Sequence, residues 1–99
     1  MNKDKTIVNF VRELMLIIDM KSIQIVDHWD ADLCAIGLAK GNKLIYVSTY
    51  NYINEDVCRY DYDLETLKEL DLDKLEVVKE GVGVSETELI HELRAFLDI

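Results

Sequence analysis

The sequence has no proline, only two cysteines and few basic residues, with 11 Lys plus Arg against 20 Asp plus Glu. Because it also has no low-complexity stretch and no internal repeat, nothing marks a linker, and residues 1–99 are predicted to form a single globular domain. The net charge of −9 repels phosphate backbones and anionic lipids, which predicts neither a nucleic-acid partner nor a membrane partner.

Two cysteines are too few for a disulfide scaffold. Cys34 and Cys58 lie in apolar, strand-like runs without CxxC spacing, which indicates buried free thiols. Near the N-terminus, Arg12 and Glu13 interrupt the apolar residues and no cleavage motif follows, so we expect neither a signal peptide nor a membrane span. These features together predict a reducing, cytoplasmic location.

Apolar residues recur at helical spacing at both ends of the chain, which predicts a first helix over residues 6–20 and a second one at the C-terminus. The second helix is expected to begin at Ser85, because Ser85 and Glu88 have the spacing of a capping box. The apolar positions after that box are Leu89, Ile90, Leu93, Phe96 and Leu97.

The middle of the chain has the residue pattern of strands, at 22–29, 33–40, 43–52, 57–64 and, more briefly, 74–79. Gly41 and Asn42 indicate a two-residue hairpin turn, and the pair Gly81 and Gly83 is expected to end the last strand. The apolar residues of 65–73 fit neither the helical nor the strand period, and a short helical turn or an irregular crossing are both compatible with them.

Short connections favour antiparallel pairing, and the two helices must bury their apolar sides. The predicted fold is therefore α+β, a two-layer sandwich in the order α-β-β-β-β-(β)-α. It contains a mostly antiparallel sheet of four or five strands with both helices packed on one face.

Tyrosines are concentrated on two strands that are expected to be neighbours. If Ile45 and Val47 face the helices, the alternation of a strand directs Tyr46 and Tyr50 to the other face. On the next strand either the set Cys58, Tyr60, Tyr62 or the set Arg59, Asp61, Asp63 shares that face. With the charged set outward, a partner-binding site is predicted at Tyr46, Tyr50, Asp61 and Asp63, although strand propensity alone also explains the tyrosines.

One histidine lies close to carboxylates, in the series His28, Asp30 and Asp32. These residues are possible ligands for a divalent metal in a small metal-dependent hydrolase. The alternative is a strand end followed by an Asx turn, with Trp29 sealing the core. Since the sequence contains no Walker loop, no GxGxxG or GxSxG motif, no zinc spacing and no calcium loop, we predict a protein that is not an enzyme and has neither metal nor cofactor.

The leading prediction is a small acidic binding protein that neutralises a basic partner. In size, acidity and helix-plus-hairpin layout the chain resembles small bacterial inhibitor and immunity proteins, which implies a partner such as a nuclease toxin. The alternative is a homo-oligomeric accessory domain that associates through the same face or through the edge of strand 22–29.

Overall fold

The computed structural model describes residues 2–26, 32–67 and 75–99. Their order along the chain is α1 (Lys5–Ile17), β1 (Gln24–Val26), β2 (Ala35–Lys40), β3 (Lys43–Ser48), β4 (Tyr60–Leu67), β5 (Leu75–Val84) and α2 (Glu86–Leu97). Short 3-10 helices occupy Met20–Ser22 and Tyr50–Tyr52. All neighbouring strands pair antiparallel in one sheet of order β1-β2-β3-β4-β5, which confirms the predicted α+β fold.

Both helices begin at side-chain caps. The Asp4 carboxylate accepts a hydrogen bond from the Thr6 amide at 3.0 Å, and the Ser85 hydroxyl accepts one from the Glu88 amide at 3.1 Å, which confirms the predicted start of α2. Neither helix in the described part of the chain has both the length and the apolar character needed to cross a membrane.

The apolar side of each helix packs on the same face of the sheet, called here the core face. Leu38, Ile45 and Leu64 are cross-strand neighbours on this face and all are buried. The helix residues of the same core are Ile7, Phe10, Val11, Leu14, Leu89, Leu93 and Leu97. Burial of this apolar surface is the main stabilising contribution to the fold.

The prediction that two strands extend over 43–52 and 57–64 is wrong at the connection between them. The Thr49 side chain is buried, its hydroxyl lies 2.7 Å from that of Thr6, and its carbonyl accepts a hydrogen bond from the Tyr52 amide. The contact with Thr6 and the turn closed by the Tyr52 amide take the chain out of the sheet, so β3 ends at Ser48 and β4 begins only at Tyr60. Cys58 therefore precedes β4 and is exposed, whereas Cys34 is buried as predicted.

The prediction that glycines end the last strand is also wrong, because β5 runs through Gly81 and Gly83. Gly81 lies against the ring of Tyr62, and Gly83 has a φ of +64°. The register between β4 and β5 is irregular, and these irregularities accommodate the additional residues of β5, as β-bulges do.

The helix predicted to reach residue 20 ends at Ile17. Residues 65–67 belong to β4, while the predictions for 27–31 and 68–74 lie outside the described residues.

Candidate functional site

The two faces of the sheet differ in charge. Four carboxylates lie on the face that is turned away from the core, called here the acidic face. They belong to Asp61, Asp63, Glu65 and Glu80. The described strands place no lysine or arginine on this face.

The three lysines of the described strands lie on the core face and contact α2 or the residue that follows it. The ammonium groups of Lys40 and Lys43 donate to the Asp98 and Phe96 carbonyl oxygens, each at 3.0 Å. The Lys79 ammonium donates to Glu92 Oε1, also at 3.0 Å. Because the C-terminus of a helix carries partial negative charge, the first two contacts favour the end of α2. The positive charge of the strands is thus directed away from the acidic face.

Cross-strand pairing brings the polar residues of the acidic face together. Asp63 lies between Tyr46 on β3 and Glu80 on β5, and Ser48 is opposite Asp61. They surround a pocket of about 280 Å³ whose lining is Tyr46, Ser48, Asp61, Tyr62, Asp63, Glu80, Gly81 and Val82. Three of the four residues predicted for partner binding therefore share one pocket.

The Asp63 carboxylate lies in unfavourable surroundings in this pocket. Burial raises its pKa, and the nearby negative charges of Glu80 and Asp61 raise it further. Burial also raises the pKa of the Tyr46 hydroxyl, against the opposite effect of its hydrogen bond to Ser48. A cation placed in the pocket would relieve the repulsion between these carboxylates.

Asp61 has a different role from Asp63, although the two residues lie on the same strand. The Tyr52 hydroxyl donates to Asp61 Oδ1 at 2.6 Å, the Gly83 amide donates to the same oxygen at 2.9 Å, and the Asn51 amide donates to Oδ2 at 3.1 Å. The carboxylate thereby joins the 3-10 helix Tyr50–Tyr52 to β4 and β5. Because these donors already satisfy it, Asp61 is mainly a structural residue.

Replacing Asp61 by alanine is expected to lower the free energy of unfolding by about 2 kcal/mol, because three hydrogen bonds to a carboxylate are lost. Asp63→Ala is the matched control on the same strand, and we expect it to leave stability unchanged or raised, because a destabilised charge is removed. Urea denaturation at neutral pH measures both changes. Equal losses of stability for the two variants would contradict a structural role for Asp61 that Asp63 does not share.

Glu65 is a further acidic-face residue that is not among the four predicted for partner binding. The residue is only 8% exposed. Burial raises its pKa, and the negative charge of Asp63 raises it further. The alternation that starts at Asp61 and Asp63 could have identified it, but the strand was predicted to end at residue 64.

These raised pKa values predict that stability depends on pH. A carboxyl group with a higher pKa in the folded state stabilises the fold below its unfolded pKa of about 4, and this contribution is lost as pH rises through the folded value. Glu65→Gln is therefore expected to raise the free energy of unfolding at pH 7 by about 1 kcal/mol, with the gain disappearing near pH 4. Urea denaturation of both proteins at the two pH values tests this, and a gain that is independent of pH would contradict it.

Tyr50, the fourth predicted residue, is not on the sheet. It lies in the 3-10 helix after β3, its side chain is 66% exposed, and it does not line the pocket. Its amide donates to the Ser48 hydroxyl at 3.3 Å, so the residue adjoins the acidic face at the end of β3.

For the predicted metal ligands, His28 and Asp30 lie outside the described residues. Asp32 is described, and its Oδ1 accepts a hydrogen bond from the Cys34 amide at 3.0 Å, which is the pattern of an Asx turn. Within residues 2–26, 32–67 and 75–99, no group of three or more His, Cys, Asp or Glu side chains is arranged to hold a metal ion.

A larger hollow of about 550 Å³ lies along α2 and the C-terminus. It combines Arg94 and His91 with Asp98, and the Arg94 Nε donates to the Ile99 carbonyl at 3.3 Å. The hollow therefore lacks the charge of a single sign that distinguishes the pocket on the acidic face.

Comparison with known proteins found no match to a family model, a curated protein or a solved structure.

Proposed function

We propose that this protein is a non-enzymatic binding protein that recognises a basic protein partner through its acidic face. The observation that carries the proposal is the segregation of charge within the sheet. Four carboxylates lie on one face, where the described strands place no lysine, and the three lysines of the described strands contact α2 or the residue that follows it on the other side. Mutual repulsion on such a face favours a complementary positive surface.

The pocket supplies two kinds of contact for a lysine or arginine of the partner. The Tyr46 ring offers a large and rigid area at low cost in side-chain entropy, and its π-face attracts a cation. Asp63 and Glu80 supply negative charge on the neighbouring strands. In this role Tyr46 is the anchor, the two carboxylates are its charge partners, and Asp61 holds the surrounding backbone.

The net charge of −9 acts over a longer range. Complementary charge accelerates the encounter of two proteins and makes association sensitive to salt. An inhibitor that neutralises a cytoplasmic nucleic-acid-binding protein, such as an immunity protein for a bacterial nuclease toxin, fits these properties, since the cleft of such a partner must be basic to bind phosphate.

Affinity capture from a native cell lysate tests the proposal, with the tagged wild-type protein at low and at high salt. We expect one dominant basic protein that is lost as the salt concentration rises. The variant Asp63→Lys with Glu80→Lys should fail to capture it. The matched control is Glu13→Lys with Glu88→Lys, which changes the net charge equally on exposed helix positions and should still capture the partner.

Two outcomes would contradict the proposal. One is the absence of a salt-sensitive basic protein together with a dimeric mass by light scattering, which would favour self-association. The other is an equal loss of capture in both pairs of variants, which would show that net charge alone is responsible.

A further inference from the structure

Strand β5 forms one margin of the sheet, and in the described part of the chain β4 is its only strand neighbour. It is ten residues long, whereas β1 at the opposite margin has three. Short strands protect a sheet from edge pairing, and a long marginal strand presents a row of backbone groups to another chain. The margin of β5 is therefore the better position for strand addition.

The hydrogen-bond pattern shows which amides of β5 point outward. The Leu67 amide donates to the Asn42 carbonyl at 2.7 Å, in register with the β3–β4 pairs. Because bonded and non-bonded pairs alternate in an antiparallel ladder, Asp63 and Glu65 direct their backbone groups toward β3. Their partners on β5, Glu80 and Val77, consequently direct their backbone groups away from β4.

The side chains of the same two residues lie on the acidic face. Glu80 lines the pocket beside Asp63, and Val77 is opposite Glu65. Val77, Val78 and Val82 are exposed along the strand, Val82 at 77%. An added strand would therefore meet apolar side chains and a carboxylate together.

Charge complementarity indicates which kind of segment would pair with the margin of β5. The one cation of β5, Lys79, is engaged by Glu92 on the core side. A residue paired directly with Glu80 would have its side chain about 5 Å from that of Glu80. Asp63 would be one strand further, about 10 Å from the added backbone, a distance that a long arginine side chain can largely cover.

We propose that the margin of β5 accepts an extended basic segment of the partner as an antiparallel sixth strand, with an Arg or Lys side chain opposite Glu80 and directed toward Asp63. This inference rests on the proposed function, since it assumes that the partner is basic. Backbone pairing provides affinity, and the carboxylates select the positions of the cations.

The test uses ¹⁵N-labelled protein and a short blocked peptide that alternates threonine and arginine. At saturation we expect amide hydrogen exchange at Val77 and Glu80 to slow by about tenfold or more, because both amides become hydrogen-bonded. Arginines opposite Glu80 turn their own amides toward β5. Methylating the arginine backbone nitrogens should therefore abolish the slowing of exchange. Methylating the threonine backbone nitrogens, which face away from β5, should preserve it.

Equal binding of all three peptides would show attraction of charge without strand pairing and would overturn this inference, while leaving the proposed function intact. The absence of any slowing with the unmodified peptide would overturn it as well. Failure of the proposed function has a separate signature, namely the lack of a salt-sensitive basic partner in the capture experiment.

Discussion

Replacing Gly81 by alanine is expected to lower the free energy of unfolding by about 3 kcal/mol or more. A methyl group at this position would overlap the Tyr62 ring. That ring cannot move aside easily, because Tyr62 is buried in the core that β4 shares with both helices. Since close-packed interiors tolerate little added volume, the β4–β5 pairing or the core must be displaced. Urea denaturation monitored by circular dichroism measures the loss.

Gly41→Ala provides the matched control. Gly41 has a φ of +61° in the β2–β3 turn, and no atom beyond the two adjoining residues lies within 4 Å of an added Cβ. We expect this variant to lose only about 1 kcal/mol, through backbone strain alone. Tyr62→Leu should recover part of the Gly81→Ala loss, as a double-mutant cycle would show. Equal losses at the two glycines would contradict the packing of Gly81 beneath the ring.

Replacing Tyr46 by alanine is expected to weaken binding of the captured partner by about thirtyfold, or about 2 kcal/mol. Tyr46 is half-buried, lines the pocket and lies directly opposite Asp63 on the neighbouring strand. Because the Tyr46 ring is already half-buried, it loses little side-chain entropy on binding, and it supplies a large contact area. Titration calorimetry with the purified partner measures the change.

Tyr50→Ala is the comparison for Tyr46, because it removes the same side chain from a position outside the pocket. We expect its effect on affinity to be below about threefold, as is usual for an exposed residue at the rim of an interface. Tyr46→Phe should retain most of the affinity. A greater loss at Tyr50 than at Tyr46 would move the binding site to the 3-10 helix beyond β3.

Sequence patterns were sufficient for the order of elements, but they did not decide which side chains of β4 face the core. The alternation along residues 60–64 left two possible sets of exposed side chains. Burial of Tyr60 and Tyr62 in the core decides between them, and it places Asp61 and Asp63 on the acidic face. This choice depends on packing against α1, where the rings of Phe10 and Tyr60 are 5.3 Å apart, and local spacing carries no information about it.

Other features depend on contacts between residues that are distant in sequence. The early end of β3 follows from the hydroxyl contact of Thr49 with Thr6, 43 residues away. The passage of β5 through Gly83 follows from a hydrogen bond between its amide and Asp61, 22 residues away. Because neither partner is evident from the local pattern, the sequence predicted a longer strand in one case and a strand end in the other.

Cross-saturation from the unlabelled partner to the deuterated, ¹⁵N-labelled protein tests directly whether the partner binds the acidic face, because it reports which residues the partner contacts. We expect saturation transfer to the amides around Tyr46, Asp63 and Glu80. Transfer confined to the exposed sides of α1 and α2, with none on β3, β4 or β5, would contradict a binding site on the acidic face.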